Sequence, residues 1–273
     1  MRQNKLREAI RVTRQSKRQA RELLDAGNNR LYFSLAIILW IASAGAIYLL
    51  GAGLAYAADA SIFTDQPSTL AITLSMLSYA LMIVLALLIL VPMAGGIMLL
   101  AGYVYRGKTP KAGDLLAAFD SPKQYLRCMG LGLYGLMQPV LSVATALIGC
   151  VAVPSLLFQM MPANGAISVL IWLACAGTAL LGAAAALAVM VLCRAAYLRG
   201  AFLARGKSWH ESTMRTRELL AKNGTLPYYY HLSFAWHVVL CVLTVGVSGV
   251  LDGIGHALLC HQFACDAFET QGK

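Results

Sequence analysis

Charged residues are scarce in this sequence. Lysine, arginine, aspartate and glutamate make up 12% of the 273 residues, hydrophobic residues make up 59%, and the mean hydropathy is +0.67. Soluble domains average about 25% charged residues. So few charges cannot cover a globule in water, which excludes an ordinary soluble fold and favours a protein that is surrounded largely by lipid.

Two hydrolase motifs and a disulfide framework are also missing. The chain contains neither HExxH nor GxSxG. Most of its seven cysteines lie in or beside apolar segments, where cysteine acts as a small packing residue. Cys260 and Cys265 are close together but do not form a CxxC motif. We therefore predict that the protein is not an enzyme and needs no cofactor.

What the chain does contain is long apolar segments, and a membrane-spanning helix needs about 20 such residues. The segments predict an all-α polytopic transmembrane bundle over residues 31–268, followed by a short tail, 269–273. It has five spans and, at residues 251–268, a short or re-entrant sixth helix. The spans are expected at Leu31 to about Leu54, Leu70 to about Tyr103, about Cys128 to Val153, Ile167 to about Cys193, and His231 to about Val250.

Basic residues alternate between the connections of these spans. Residues 1–30 hold nine of the 22 lysines and arginines, and the loops 106–127 and 194–228 are also basic. The connections 57–69 and 154–165 contain neither lysine nor arginine. This positive-inside pattern predicts a cytoplasmic N-terminus and two cytoplasmic loops.

Residues 1–30 form a basic amphipathic segment. A weak apolar stripe at helical spacing runs between its basic faces: Leu6, Ile10, Thr13, Lys17, Ala20 and Leu24. Such a helix suits anionic headgroups, where each basic residue adds roughly 1 kcal/mol; the alternative is a solvated helix that only fixes topology. The candidate lipid contacts are Arg11, Arg14, Lys17, Arg18 and Arg21.

Helix-breaking residues mark a candidate substrate path. Pro92 and Gly95-Gly96 interrupt the second span, and Gln138-Pro139 lies in the third. The first four spans contain no Asp, Glu, Lys, Arg or His, which argues against a proton-coupled pump. A path here would suit a hydrophobic or amphiphilic compound. The alternative is that Gln138 only satisfies the carbonyl that Pro139 leaves without a donor.

A candidate metal site lies near the C-terminus. Asp252, His256 and Cys260 recur at every fourth residue, with His261 adjacent, and these side chains can bind zinc. Residues eight apart lie about 12 Å apart along a helix, so the run cannot form a three-ligand site alone. The alternative is a polar face that meets headgroups or other helices.

A tripeptide recurs after the second and fourth spans. Arg106-Gly107-Lys108 and Arg205-Gly206-Lys207 are each followed by an amphipathic stretch that contains Leu-Leu. The pattern indicates either a parallel internal repeat or a chance similarity of cytoplasmic ends. Ser121-Pro122 and the capping box Ser208-Trp-His-Glu211 predict helix starts at these positions.

Several short motifs, in order, resemble a known family. They are Arg18-Gln-Ala-Arg21-Glu-Leu-Leu, Gly95-Gly96 through Arg106-Gly107, Asp114-Leu-Leu-Ala-Ala-Phe119, Arg217-Glu-Leu-Leu220, Leu232-Ser-Phe-Ala-Trp236 and Leu243-Thr-Val-Gly246. Over most of its length the chain resembles the bacterial integral-membrane proteins known only as domain of unknown function 975. Those proteins usually carry Pro-Gly near the end of the fourth span and Pro-Tyr near the end of the last, and this chain has neither there. The resemblance implies a compact helical bundle in the bacterial cytoplasmic membrane and no known activity.

These features favour a non-enzymatic multi-pass membrane protein that organises lipid or protein partners through basic cytoplasmic helices. The expected partners are the bilayer and its anionic headgroups, with a protein partner or a second copy as a further class, and no nucleic acid. The alternatives are a carrier for a hydrophobic or amphiphilic molecule and a metal- or thiol-dependent membrane enzyme.

Overall fold

All regular structure in the described part of the chain is helical, as the sequence predicts. The computed structural model describes residues 2–60, 69–149, 153–159, 165–192, 194–222 and 253–271, and positions 230, 233, 234, 244, 247, 248 and 250. The helices are α1 (Arg2–Asp25), α2 (Asn29–Ala60), α3 (Thr69–Leu85), α4 (Val91–Tyr105), α5 (Pro122–Leu147), α6 (Val153–Gln159), α7 (Gly165–Leu192), α8 (Arg194–Ala204), α9 (Trp209–Lys222) and α10 (Ile254–Gln271). A π-helical segment, Ala86–Leu90, joins α3 to α4, and a 3₁₀ segment, Ala112–Phe119, precedes α5.

Two helical runs are long and apolar enough to cross a membrane, judged by length and composition over the described residues. They are Asn29–Tyr56 and Thr73–Tyr105, and they coincide with the first two predicted spans. The third and fourth predicted spans are helical, as α5 and α7, and that they cross a membrane stays a prediction. The predicted fifth span lies largely outside the described residues.

The surface of the long helices changes along their length. Large exposed apolar side chains concentrate on α2, α3 and α7; Leu49 is 70% exposed and Leu180 is 74% exposed. The main core lies elsewhere, where the start of α2 meets α1, α4, α8 and α10. The helices therefore pack around one main core. Outside that core, α2, α3 and α7 carry exposed apolar side chains.

Local capping signals set the starts of two helices as predicted. The Ser121 hydroxyl accepts a hydrogen bond from the Gln124 amide at 3.2 Å, and α5 begins at Pro122. The Ser208 hydroxyl accepts a hydrogen bond from the Glu211 amide, also at 3.2 Å, and α9 begins at Trp209. Each hydroxyl satisfies an amide that has no partner within its helix.

The two Arg-Gly-Lys tripeptides form the same turn. Gly107 has φ +75° and Gly206 has φ +96°, the left-handed conformation that ends many helices. Both glycine amides donate to the carbonyl three residues earlier, at 2.9 and 3.0 Å. The turns also touch, because Arg106 Nη1 donates to the Arg205 carbonyl at 3.4 Å. The repeated tripeptide thus forms the same turn twice, and we call residues 106–108 the first corner and residues 205–207 the second corner. That whole units are duplicated stays a prediction.

Candidate functional site

The apolar face of α1 is covered by protein. Ala9, Val12, Ser16, Ala20 and Leu24 are all buried, and α1 packs along α10. Within the predicted stripe, Ala20 and Leu24 are therefore covered by protein and not by headgroups. Both belong to the main hydrophobic core, which α10 helps to form.

Opposite that buried face, α1 carries a row of exposed arginines. We call Arg7, Arg11, Arg14, Arg18 and Arg21 the arginine stripe. Their spacing of four and three residues keeps all five on one side of the helix, over about 21 Å. The side chains of Arg11 and Arg18 are 74% and 82% exposed. The stripe contains four of the predicted lipid contacts, together with Arg7, which sequence reasoning missed.

Two acidic residues beside the arginine stripe offset part of its charge. Glu8 lies 4.0 Å from Arg11, and Glu22 accepts a hydrogen bond from Arg18 at 2.9 Å. Both pairs are exposed, where ion pairs contribute at most about 1 kcal/mol. The stripe thus presents a surplus of positive charge to whatever faces α1.

Lys17, the remaining predicted lipid contact, is directed into the protein. Its ammonium group donates to the Ser233 carbonyl at 2.7 Å and lies 4.4 Å from the centre of the Phe234 ring. Burial lowers the pKa of Lys17 from its ordinary value. Lys17 therefore tethers α1 to the 233–234 turn and takes no part in the stripe.

Of the predicted metal ligands, His256 and Cys260 contact each other, whereas His261 contacts a different residue. His256 Nε2 lies 3.1 Å from the Lys17 carbonyl and 3.5 Å from Cys260 Sγ. His261 Nδ1 lies 2.9 Å from the Tyr230 hydroxyl. Asp252 lies outside the described residues, among which no cluster of three metal-ligating side chains occurs.

The Cys260 thiol is buried in the protein. Burial raises its pKa to about 12. The arrangement fits the alternative interpretation, in which this polar face of α10 packs against other helices.

Arg205 holds α10 against the second corner. Its Nε donates to the Gln262 side chain at 2.7 Å, and its other nitrogens contact the Gln262 carbonyl and Asp266. Two turns further along, Arg215 of α9 pairs with Glu269 at 2.7 Å. Burial and the nearby Glu269 raise the pKa of Asp266 to about 6 in spite of its contact with Arg205. These partners are too distant in sequence for local patterns to reveal.

The α4 residues of the predicted substrate path lie in close helix packing. A Cβ on Gly95 would lie 1.9 Å from the Cys128 carbonyl oxygen, because α4 and α5 cross there in direct contact. Pro92 and Gly96 are buried in α4. Gln138 and Pro139 lie within α5. An open hollow of about 480 Å³ lies elsewhere, beside Tyr103, Lys108 and Lys111 at the end of α4.

Two stretches match phosphate-binding consensus patterns by letter alone. Gly102–Thr109 fits the P-loop pattern and Gly130–Gly135 fits the dinucleotide pattern. A P-loop needs free amides at the start of a helix, but Gly102–Thr109 contains the end of α4. There the amides of Arg106, Gly107 and Lys108 all donate to helix carbonyls. Gly130–Gly135 lies inside α5, so neither stretch forms a phosphate cradle.

Searches of protein-family models, curated proteins and solved structures find no match to this chain. The resemblance stated above therefore stays a prediction.

Proposed function

We propose that this chain is a non-enzymatic multi-pass membrane protein that gathers anionic phospholipid at the cytoplasmic face through the arginine stripe of α1. The observation that carries the proposal is the division of α1 into a face covered by α10 and an exposed face of five arginines. A helix that only fixed topology would need positive charge but not its alignment on one side. The bacterial cytoplasmic membrane as the location follows from the family resemblance.

The proposed topology has four crossings, α2, α3–α4, α5 and α7, with both termini cytoplasmic. Support comes from residues near the two ends of the predicted fifth span. Ser233 contacts Lys17, and the Val250 carbonyl accepts a hydrogen bond from Ser34, near the start of α2, at 3.2 Å. A single pass would place these ends about 30 Å apart, on opposite faces. Since Lys17 and Phe33 touch neighbouring residues of α10, the C-terminus lies on the side of α1.

The strength of the lipid interaction follows from charge. A basic residue close to an anionic membrane surface contributes about 1 kcal/mol, and this attraction decays within one Debye length. Five aligned arginines thus favour anionic over zwitterionic lipid by several kcal/mol at most, in a manner that salt weakens. Arginine can also contact phosphate through two hydrogen bonds.

The test compares two variants of the full chain, reconstituted in mixed phosphatidylcholine–phosphatidylglycerol vesicles. One variant replaces all five stripe arginines by glutamine, and its matched control replaces them by lysine. Electron paramagnetic resonance of spin-labelled lipids measures the preference of the protein's lipid shell for phosphatidylglycerol. We expect the glutamine variant to lose this preference and its salt dependence, and the lysine variant to keep both. An unchanged preference in a correctly folded glutamine variant would refute the proposal.

A further inference from the structure

Arg199 has an unusual environment for an arginine. Its Nε is buried and, unlike every other buried side-chain nitrogen and oxygen in the described residues, has no hydrogen-bond partner. No carboxylate of the described residues lies within ion-pair distance of its guanidinium. A buried donor without a partner costs about 1–3 kcal/mol, so Arg199 is held in this position at a cost to stability.

Two aromatic rings hold the guanidinium in place. The Arg199 Cζ lies 4.7 Å from the ring centre of Trp209 and 5.1 Å from that of Tyr134. The two rings are themselves 5.1 Å apart. Gly130 provides room for the indole, because a Cβ there would lie 3.0 Å from Trp209 Cζ3. The rings fix the orientation of the cation but neutralise none of its charge.

The surface beside this cation is apolar. Leu126 and Leu133, on the same side of α5 as Gly130, are 70% and 53% exposed, and Trp209 is 50% exposed. Arg199 as a whole is half-buried, and of its guanidinium nitrogens only Nε is both fully buried and without a partner. An oriented cation next to exposed leucines matches a ligand with a phosphate group and a hydrocarbon chain.

We propose that Arg199, Tyr134 and Trp209 form a binding site for one phospholipid molecule. The Nη groups of Arg199 donate to the phosphodiester, and an acyl chain lies along Leu126 and Leu133. The site consists of α5, α8 and α9 and shares no residue with the arginine stripe.

Native mass spectrometry of the purified full chain, titrated with phosphatidylglycerol, tests the site. Arg199→Gln should weaken the tightest lipid-binding event at least about tenfold, which corresponds to the loss of one charge-assisted hydrogen bond. Arg217→Gln, the same charge change at an exposed position of α9, should leave this event unchanged. Equal lipid binding by these two variants would overturn the proposal.

A second measurement does not require Arg199 to be replaced. In a variant that retains Trp209 as its sole tryptophan (W40F, W172F, W236F), phosphatidylglycerol with brominated acyl chains should quench the fluorescence. Leu133→Asn should reduce this quenching. Absence of quenching in the parent variant would contradict a bound acyl chain at this place.

Inorganic phosphate distinguishes a lipid from a free anion. If the acyl chain contributes to binding, inorganic phosphate at the same concentration as the lipid leaves the protein–lipid complex intact. Displacement of the lipid by phosphate would show that the site binds anions in general and would refute the lipid assignment. Replacement of the five stripe arginines by glutamine should not change the tight event, so this proposal and the proposed function can fail independently.

Discussion

At the scale of residues, Pro92 shows which features local sequence can predict. A proline has no amide hydrogen, so the carbonyl four residues earlier loses its helical donor. That carbonyl, of Leu88, accepts a hydrogen bond from the Tyr125 hydroxyl at 2.8 Å, and the Leu90 carbonyl accepts one from the Trp40 indole, also at 2.8 Å. The proline predicts that the helix is perturbed at this place. The hydrogen-bond donors, Tyr125 and Trp40, lie on other helices and cannot be predicted from the residues next to Pro92.

Gly95 offers a test of the close crossing between α4 and α5. Gly95→Ala places a methyl group against a backbone oxygen that cannot rotate away, and overpacking of this kind costs typically 1–3 kcal/mol. The thermal unfolding midpoint in detergent should therefore fall.

Gly45 of α2 is the matched control. A Cβ there meets no atom within 4 Å, so Gly45→Ala should leave the midpoint unchanged or raise it, since alanine is the better helix former. A substrate-path role for Gly95 without tight packing would instead leave the midpoint of Gly95→Ala unchanged.

At the scale of elements, helix existence could be predicted but helix partners could not. Caps, glycine stops and apolar runs are local, and they place α2, α5, α9 and the α3–α4 run correctly. The pairing of α1 with α10 depends on Lys17 and His256, which are 239 residues apart. The sequence predicts that the apolar face of α1 contacts lipid, because α10, which covers that face, lies far away in the chain.

Arg205 tests how α10 is held in place. Its side chain is 11% exposed, and Arg205→Gln leaves Gln262 and Asp266 without their donor, at a cost of about 1–3 kcal/mol. Hydrogen exchange measured by mass spectrometry should show faster exchange across residues 254–271.

Arg18→Gln is the control for Arg205→Gln. It breaks the pair with Glu22, which is exposed on both sides, and exposed substitutions usually change stability by less than about 0.5 kcal/mol. Exchange in α10 should stay as in the unaltered protein. Equal exchange in both variants would show that Arg205 does not hold the helix.

At the scale of the whole molecule, the topology determines which helices lie on the same side of the membrane. Composition and charge alternation predict a membrane protein, but the number of crossings depends on where the chain re-emerges, which hydropathy alone does not determine. The proposed four-crossing topology puts α1 and α10 on one side and α6 on the other.

Single cysteines in a cysteine-free background distinguish the two sides. With a membrane-impermeant maleimide, Gln15→Cys and Thr270→Cys should be labelled in inside-out vesicles, and Ser155→Cys, an exposed position of α6, in right-side-out vesicles. Labelling of Thr270→Cys together with Ser155→Cys would mean that the chain crosses once more.

The pairing of α1 with α10 has a consequence for biosynthesis. The ribosome makes α1 before the apolar helices and α10 after them, so the inner face of α1 has no partner while those helices are being inserted. Folding of the N-terminal helix is therefore completed only after translation of residues 254–271, and a chain that stalls before them exposes that face to chaperones and proteases.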